Sequence, residues 1–174
     1  MDNAMNILHS AALAATLISC NTFAGDTVNV SVTGNIIASP CIFNGGNDNM
    51  DINLGNIQAS NMSTLGSSSD PVRFNLMFTQ CPTGTSSVTV SFTGNPDPVA
   101  GADYYMNSGS ATNVAIAMSE AATGALKGTG TSITQTIAAD RTATMAMQAA
   151  VTSFTGGATP GNISAVVVMT MQYN

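Results

Sequence analysis

The chain has 174 residues, 44% of them apolar and only 7% charged, with a formal net charge of −6 set against just three cations, Arg73, Lys127 and Arg141. A chain this apolar and this poor in charge folds rather than staying disordered, and so few basic groups leave no surface for a phosphate backbone, which excludes nucleic acid as a partner. Its polarity comes instead from Ser, Thr, Asn and Gly, which suit strands and turns better than helices, and its length fits one domain with room for a short appendage.

Residues 7–18 are an apolar, Ala-rich run too short to cross a membrane comfortably. Thr22 and Ala24 place small residues where a signal peptidase reads, so residues 1–24 are expected to be a removable export signal with Gly25 as the mature start. The segment before the run has no Lys or Arg, which departs from an ordinary export signal and puts the start codon in question. Leu17, Ile18, Ser19 and Cys20 offer a second reading, a lipobox in which a lipid on Cys20 tethers the downstream segment. Cutting after Ala24 removes His9, the one histidine, and Cys20, leaving Cys41 and Cys81. Two cysteines in an exported chain most simply form one disulfide, with two free buried thiols as the alternative. Closing a loop of this size stabilises a fold by about 4 kcal/mol in the chain-entropy account.

Past the cut, period-two alternation recurs between clusters of Gly, Pro, Ser and Asn, and no stretch holds the spacing of an amphipathic helix. Val28, Val30 and Val32 alternate with Asn29, Ser31 and Thr33, and the parity continues to Gly34 and Ile36. Residues 44–51 form a polar loop rich in Asn and Asp, the best place for calcium, but the spacing and final Glu of an EF-hand are missing and a plain loop is expected. Ile52, Leu54 and Ile57 mark a short strand; Val72, Phe74, Leu76 and Phe78 mark a longer one running into Cys81. Val88, Val90 and Phe92 come next, then Val114, Ile116 and Met118, and a hairpin region over residues 124–130. Ile133 and Ile137 indicate a weaker strand, Met145, Met147, Ala149 and Val151 another, and residues 163–173 a long last one.

About seven short strands and no helix predict an all-β sandwich, immunoglobulin-like in layout, although the Trp that packs on the bridge of antibody domains is absent. The strand methionines read as adaptable core filler. Without histidine in the mature chain there is no Ser-His-Asp triad and no imidazole metal site. The carboxylates Asp26, Asp48, Asp51, Asp70, Asp97, Asp103, Glu120 and Asp140 mostly adjoin Gly, Pro or Asn, where solvated turns are expected. No enzymatic activity, cofactor or metal is expected. The segment after the cut stands out. It is either the first strand of its own sandwich or a strand for another chain, whose main chain bonds to a partner sheet while alternate side chains fill pockets. Gly34 favours the second, since glycine weakens an ordinary strand and marks close backbone approach.

At this point the residues resemble a family, the subunits of chaperone–usher fimbriae (type 1 pili), over essentially the whole mature length. The resemblance rests on residues 28–39 leading to Pro40 and Cys41, on Leu54 with Gly55, and on residues 74–78 leading to Cys81 and Pro82. Tyr104, Tyr105, residues 107–118, residues 159–161, and Tyr173 with Asn174 complete it. The details look most similar to the minor tip-adaptor subunits.

The resemblance implies an incomplete immunoglobulin-like sandwich that lacks its last strand, organised as a signal at 1–24, an N-terminal donor-strand extension at 25–39 and a pilin domain at 40–174. Val28, Val30, Val32, Gly34 and Ile36 would be the donor face. Val167, Met169, Met171 and Tyr173 would be the edge strand a periplasmic chaperone pairs with, Asn174 its anchor, and Cys41 and Cys81 the stabilising bridge. The implied partners are neighbouring fimbrial subunits, that chaperone and an outer-membrane usher, and the implied place is an adhesive fimbrium on the cell surface, reached through the periplasm. The alternative is a self-contained secreted sandwich that binds a glycan or a protein.

Overall fold

The alternating runs become strands wherever a neighbouring strand is available to pair with them. The computed structural model describes residues 28–36 and 39–174; the expected signal, its cut at Gly25 and the lipobox alternative at Cys20 lie outside the described residues. Residues up to Asn35 and the span Ile36–Asn174 form two separate units. In the first, the described residues carry no strand, and Val28, Val30 and Val32 are 80–88% exposed.

The second unit holds ten strands: β1 (Ile42–Phe43), β2 (Ser67–Ser68), β3 (Val72–Thr79), β4 (Ser87–Gly94), β5 (Pro96–Asp97), β6 (Gly101–Met106), β7 (Ala115–Glu120), β8 (Ser132–Thr136), β9 (Ala143–Ser153) and β10 (Val167–Tyr173). The described residues contain no helix beyond two 3-10 turns, Asn44–Gly46 and Ala59–Met62. One sheet runs β1-β3-β9-β7-β6-β5, with β2 also on β9; the other is β10-β4-β8. Every named pairing is antiparallel. The chain changes sheet in a single step at Asn95, between the end of β4 and the start of β5. Pro96 is accommodated there because β5 is an edge strand, where a missing N–H costs no ladder bond.

The two sheets enclose one core, as an all-β sandwich requires. Leu76 and Phe78 from β3, Val88, Val90 and Phe92 from β4, and Met145 and Met147 from β9 are all at most 1% exposed. Their sequence neighbours face outward, as period two demands. Methionine thus fills the core of β9, matching its reading as packing material. The Cys41 and Cys81 sulfurs are bonded at 2.10 Å, tying the start of β1 to the chain leaving β3. Phe43 packs against Phe78 beside them with ring centres 5.3 Å apart.

Two expected strands differ. Residues 52–57 belong to no strand, and the last strand begins at Val167 rather than at Ile163. Both segments lack a strand to pair with, and a strand needs a ladder as well as a pattern. The hairpin forms as a turn after β7, with Glu120 N–H donating to Ala125 and Lys127 N–H to Met118.

Candidate strand-receiving groove

β10 pairs with β4 from Val167 opposite Gly94 to Tyr173 opposite Val88, and among the described residues nothing pairs with its other side. Asn174 N–H donates to Ser87 and Ser87 N–H donates to Asn174, both at 3.0 Å. That reciprocal pair fixes the parity of the strand: main-chain groups of even-numbered residues face β4, and those of Val167, Met169, Met171 and Tyr173 face the open edge. The side chains of these same four residues turn toward the core, yet they remain half-buried, because no strand flanks them. Tyr173 meets Phe78 edge-on with ring centres 6.5 Å apart, and partial burial raises its phenol pKa.

Facing this edge are residues 50–57. Met50, Ile52 and Leu54 are half-buried and alternate with exposed Asp51, Asn53 and Gly55. At Gly55 the backbone takes φ +72° and its N–H donates to Asn53 Oδ1 at 2.8 Å. A side chain would strain there, which favours glycine. The turn shifts the alternation, so the next inward residue is Ile57 rather than Asn56. The segment has the pattern of a strand and no ladder.

Between the two walls lies a groove of about 700 Å³. Its floor is the core itself, half-buried Phe74 with buried Tyr105, Ile116, Met118 and Ala149. Tyr105 is itself 1% exposed, and its hydroxyl donates to the Lys127 carbonyl at 2.7 Å. Burial pushes this phenol up to about 12, so it stays a neutral apolar surface under any ordinary condition. Lys127 in turn contacts Glu120 at 2.7 Å, and that bond, with one from Thr123, holds the Glu120 carboxyl below its ordinary value.

Such a site can accept an extended apolar chain. It offers main-chain donors and acceptors along its edge and half-buried apolar side chains at two-residue spacing, which is the chemistry of strand addition. Among the described residues no cluster of His, Cys, Asp or Glu could hold a metal. In residues 44–51, Asn47 Oδ1 accepts from Asn49 N–H at 3.0 Å, a local turn bond.

Val167, Met169, Met171, Tyr173 and Asn174 therefore lie together on one open edge, and Cys41 and Cys81 join beside β1, from which the opposite wall leads off. Val28, Val30, Val32, Gly34 and Ile36 belong to no ladder and are exposed. The opposite wall was not singled out from the sequence, although the alternation of Ile52 and Leu54 was visible; nor was the floor. Tyr105, Ile116 and Met118 become floor only through the pairing of β6 with β7.

Residues 30–174 match the family profile described as fimbrial protein. The chain belongs to the fimbrial protein family. Protein FimG of Escherichia coli strain K12 is 31% identical over 147 residues, 84% of this chain and 85% of that protein. Among solved structures, the P pilus rod subunit PapA superposes with a TM-score of 0.64 at 21% identity, covering 78% of this chain and all of that one. A chain from a solved chaperone–usher pilus gives 0.62 at 20% identity over 89% of this chain and all of that one. At those identities the two structures establish the fold, an incomplete immunoglobulin-like sandwich. This fimbrial chain is a pilus subunit of the cell surface, and a self-contained binding module is not favoured.

Proposed function

We propose that this fimbrial protein is a structural, non-enzymatic subunit of an adhesive fimbria that both receives and donates a strand. The observation that carries the reading is a groove floored by core side chains between two walls, β10, whose outer edge is open among the described residues, and residues 50–57, which have no ladder. A single inserted strand would complete the ladder and bury the half-exposed faces of Val167, Met169 and Met171. An open edge of this apolar character is an aggregation hazard, so a periplasmic chaperone occupies it first, with Asn174 as an anchor. At the outer-membrane usher, the extension of the next subunit replaces the chaperone.

The donated strand is the extension at residues 25–39, ahead of a pilin domain at 40–174. Its donor face is Val28, Val30, Val32, Gly34 and Ile36. Three exposed valines in alternation, each at least 80% accessible, need a partner surface. Among the described residues nothing requires the glycine: no heavy atom of theirs lies within 4 Å of where a Cβ on Gly34 would stand. Its small size answers to a surface on the neighbouring subunit. Donor and acceptor are different surfaces, so the contact repeats head to tail and builds a filament.

Deleting residues 25–39 tests this. The shortened chain is expected to form a one-to-one complex with its chaperone and to receive a strand, while failing to insert into the next subunit. Polymer growth unchanged from the deleted end would overturn the proposal.

A further inference from the structure

The receiving edge is longer than β10, and one side chain explains why. β4 ends at Gly94 and the chain leaves for the other sheet at Asn95, so residues 161–166 have lost their strand neighbour. They are nevertheless held in line, and Ile163 and Ala165 line the groove. The loop after β6 takes the side that β4 vacates. Ala111 N–H donates to Asn162 at 3.1 Å and Ser108 N–H to Ser164 at 2.8 Å, while Asn162 N–H donates to Ser110 Oγ at 2.9 Å. The two segments run backbone against backbone: a Cβ on Gly109 would collide with the Asn162 oxygen, and one on Gly161 with the Ala111 nitrogen.

Asn107 is the centre of this buckle. Its Oδ1 accepts from Ser164 N–H at 2.8 Å and from Gly109 N–H at 3.0 Å. Its Nδ2 donates to the Ala111 carbonyl at 2.8 Å and reaches the Asn162 carbonyl at 3.5 Å. Only a primary amide offers two acceptor and two donor directions on one short stem. Aspartate would set a second acceptor against two carbonyls, and alanine would leave Ser164 N–H, Gly109 N–H and the Ala111 carbonyl without these partners, the Asn162 carbonyl keeping Ala111 N–H.

Parity gives the arrangement its meaning. Asn162 and Ser164 turn their main-chain groups to the loop, so Ile163 and Ala165 turn theirs the opposite way, continuing the odd-numbered series of Val167, Met169, Met171 and Tyr173. We infer that Asn107 is a positioning residue for strand receipt: it extends the docking edge of β10 past its own ladder to Ile163, adding two receiving residues. The inference rests on the strand-receiving reading of the groove and deepens it.

The test is residue-resolved hydrogen exchange on the mature chain, with and without excess synthetic peptide of residues 25–39. In the wild type, peptide should protect the amides of Val167, Met169 and Met171 and also those of Ile163 and Ala165. In Asn107→Ala the first three should stay protected, the last two should not, and peptide release should be about tenfold faster, the scale of one or two net hydrogen bonds. Should that variant not fold, Ser110→Ala, which removes only the bond from Asn162, should reduce protection at Ile163 and Ala165 alone. Equal protection in variant and wild type, or protected β10 amides with unprotected Ile163 and Ala165 in the wild type, would overturn the role of Asn107. No peptide protection anywhere in the wild type would overturn the strand-receiving reading, and this one with it.

Discussion

Removing the bridge by Cys41→Ala with Cys81→Ala should act on the groove as well as on stability. The cysteines are 40 positions apart. For a closed loop of that size the chain-entropy relation gives about 13 cal/mol/K, or about 4 kcal/mol at 25 °C. Alanine is the right replacement, because Cys81 is fully buried and Cys41 is 6% exposed; serine would add a buried hydroxyl in need of a partner. β1 holds to β3 by only two residue pairs, Ile42 with Thr79 and Phe43 with Phe78, and residues 50–57 beyond it have no ladder. The bridge thus ties the N-terminal end of the second wall, while buried Met62 and the bonds from Gly157 N–H to Ser63 and Ala158 N–H to Met62 hold its far end. Loss of the bridge should loosen the near end before the core opens. Urea unfolding of the peptide-loaded mature chain should show a fall in stability of about 4 kcal/mol, and peptide affinity should drop with it. Treating the unaltered chain with reductant should reproduce both effects. A loss below about 0.5 kcal/mol, within the range of an ordinary surface substitution, with affinity intact, would refute the reasoning.

Two further outcomes concern the titrating groups. Tyr105, with its phenol raised to about 12 by burial, stabilises the fold fully below pH 10, the ordinary phenol value, and loses that contribution as pH rises through the folded value; ultraviolet titration should therefore show this phenolate appearing only with unfolding, and a reversible signal from Tyr105 near pH 10 in the folded chain would contradict its placement. Glu120, lowered by its bonds to Lys127 and Thr123, contributes above its ordinary carboxyl value of 4.5 and loses that contribution as pH falls through the folded value, so Lys127→Met should flatten the acid limb of the stability profile measured by thermal melts between pH 6 and pH 3, while an unchanged limb would remove the pair from the account.

How much of this was legible in the sequence differs from element to element. β3, β4 and β9 were readable because one face of each meets the core and the other meets solvent, which writes period two into the residues. β6 was not: Gly101, Ala102 and Asp103 carry no alternation, and the strand exists because Tyr104 and Tyr105 pair with Ala117 and Ile116. Residues 50–57 show the opposite case, a legible pattern without a strand, since no described strand lies alongside to form a ladder. The same holds for Val28, Val30 and Val32. Along β10 the core-facing residues could be read from parity, but their half-exposure could not, as it depends on which neighbour is missing. Asn107 stood in the family resemblance with no role attached, because an amide that bonds two loops is visible only once those loops have met.

The floor of the groove has a mechanical consequence. Phe74, Ile116 and Met118 belong to the same interior as Leu76 and Phe78, so a strand seated on them becomes part of one subunit's core while covalently belonging to the next. Under the proposed assembly, adjoining subunits would be joined by shared interior rather than by touching exteriors. Pulling such a fibre apart would then mean partly unfolding a protein, and its tensile strength would be set by the rate of unfolding rather than by a surface affinity.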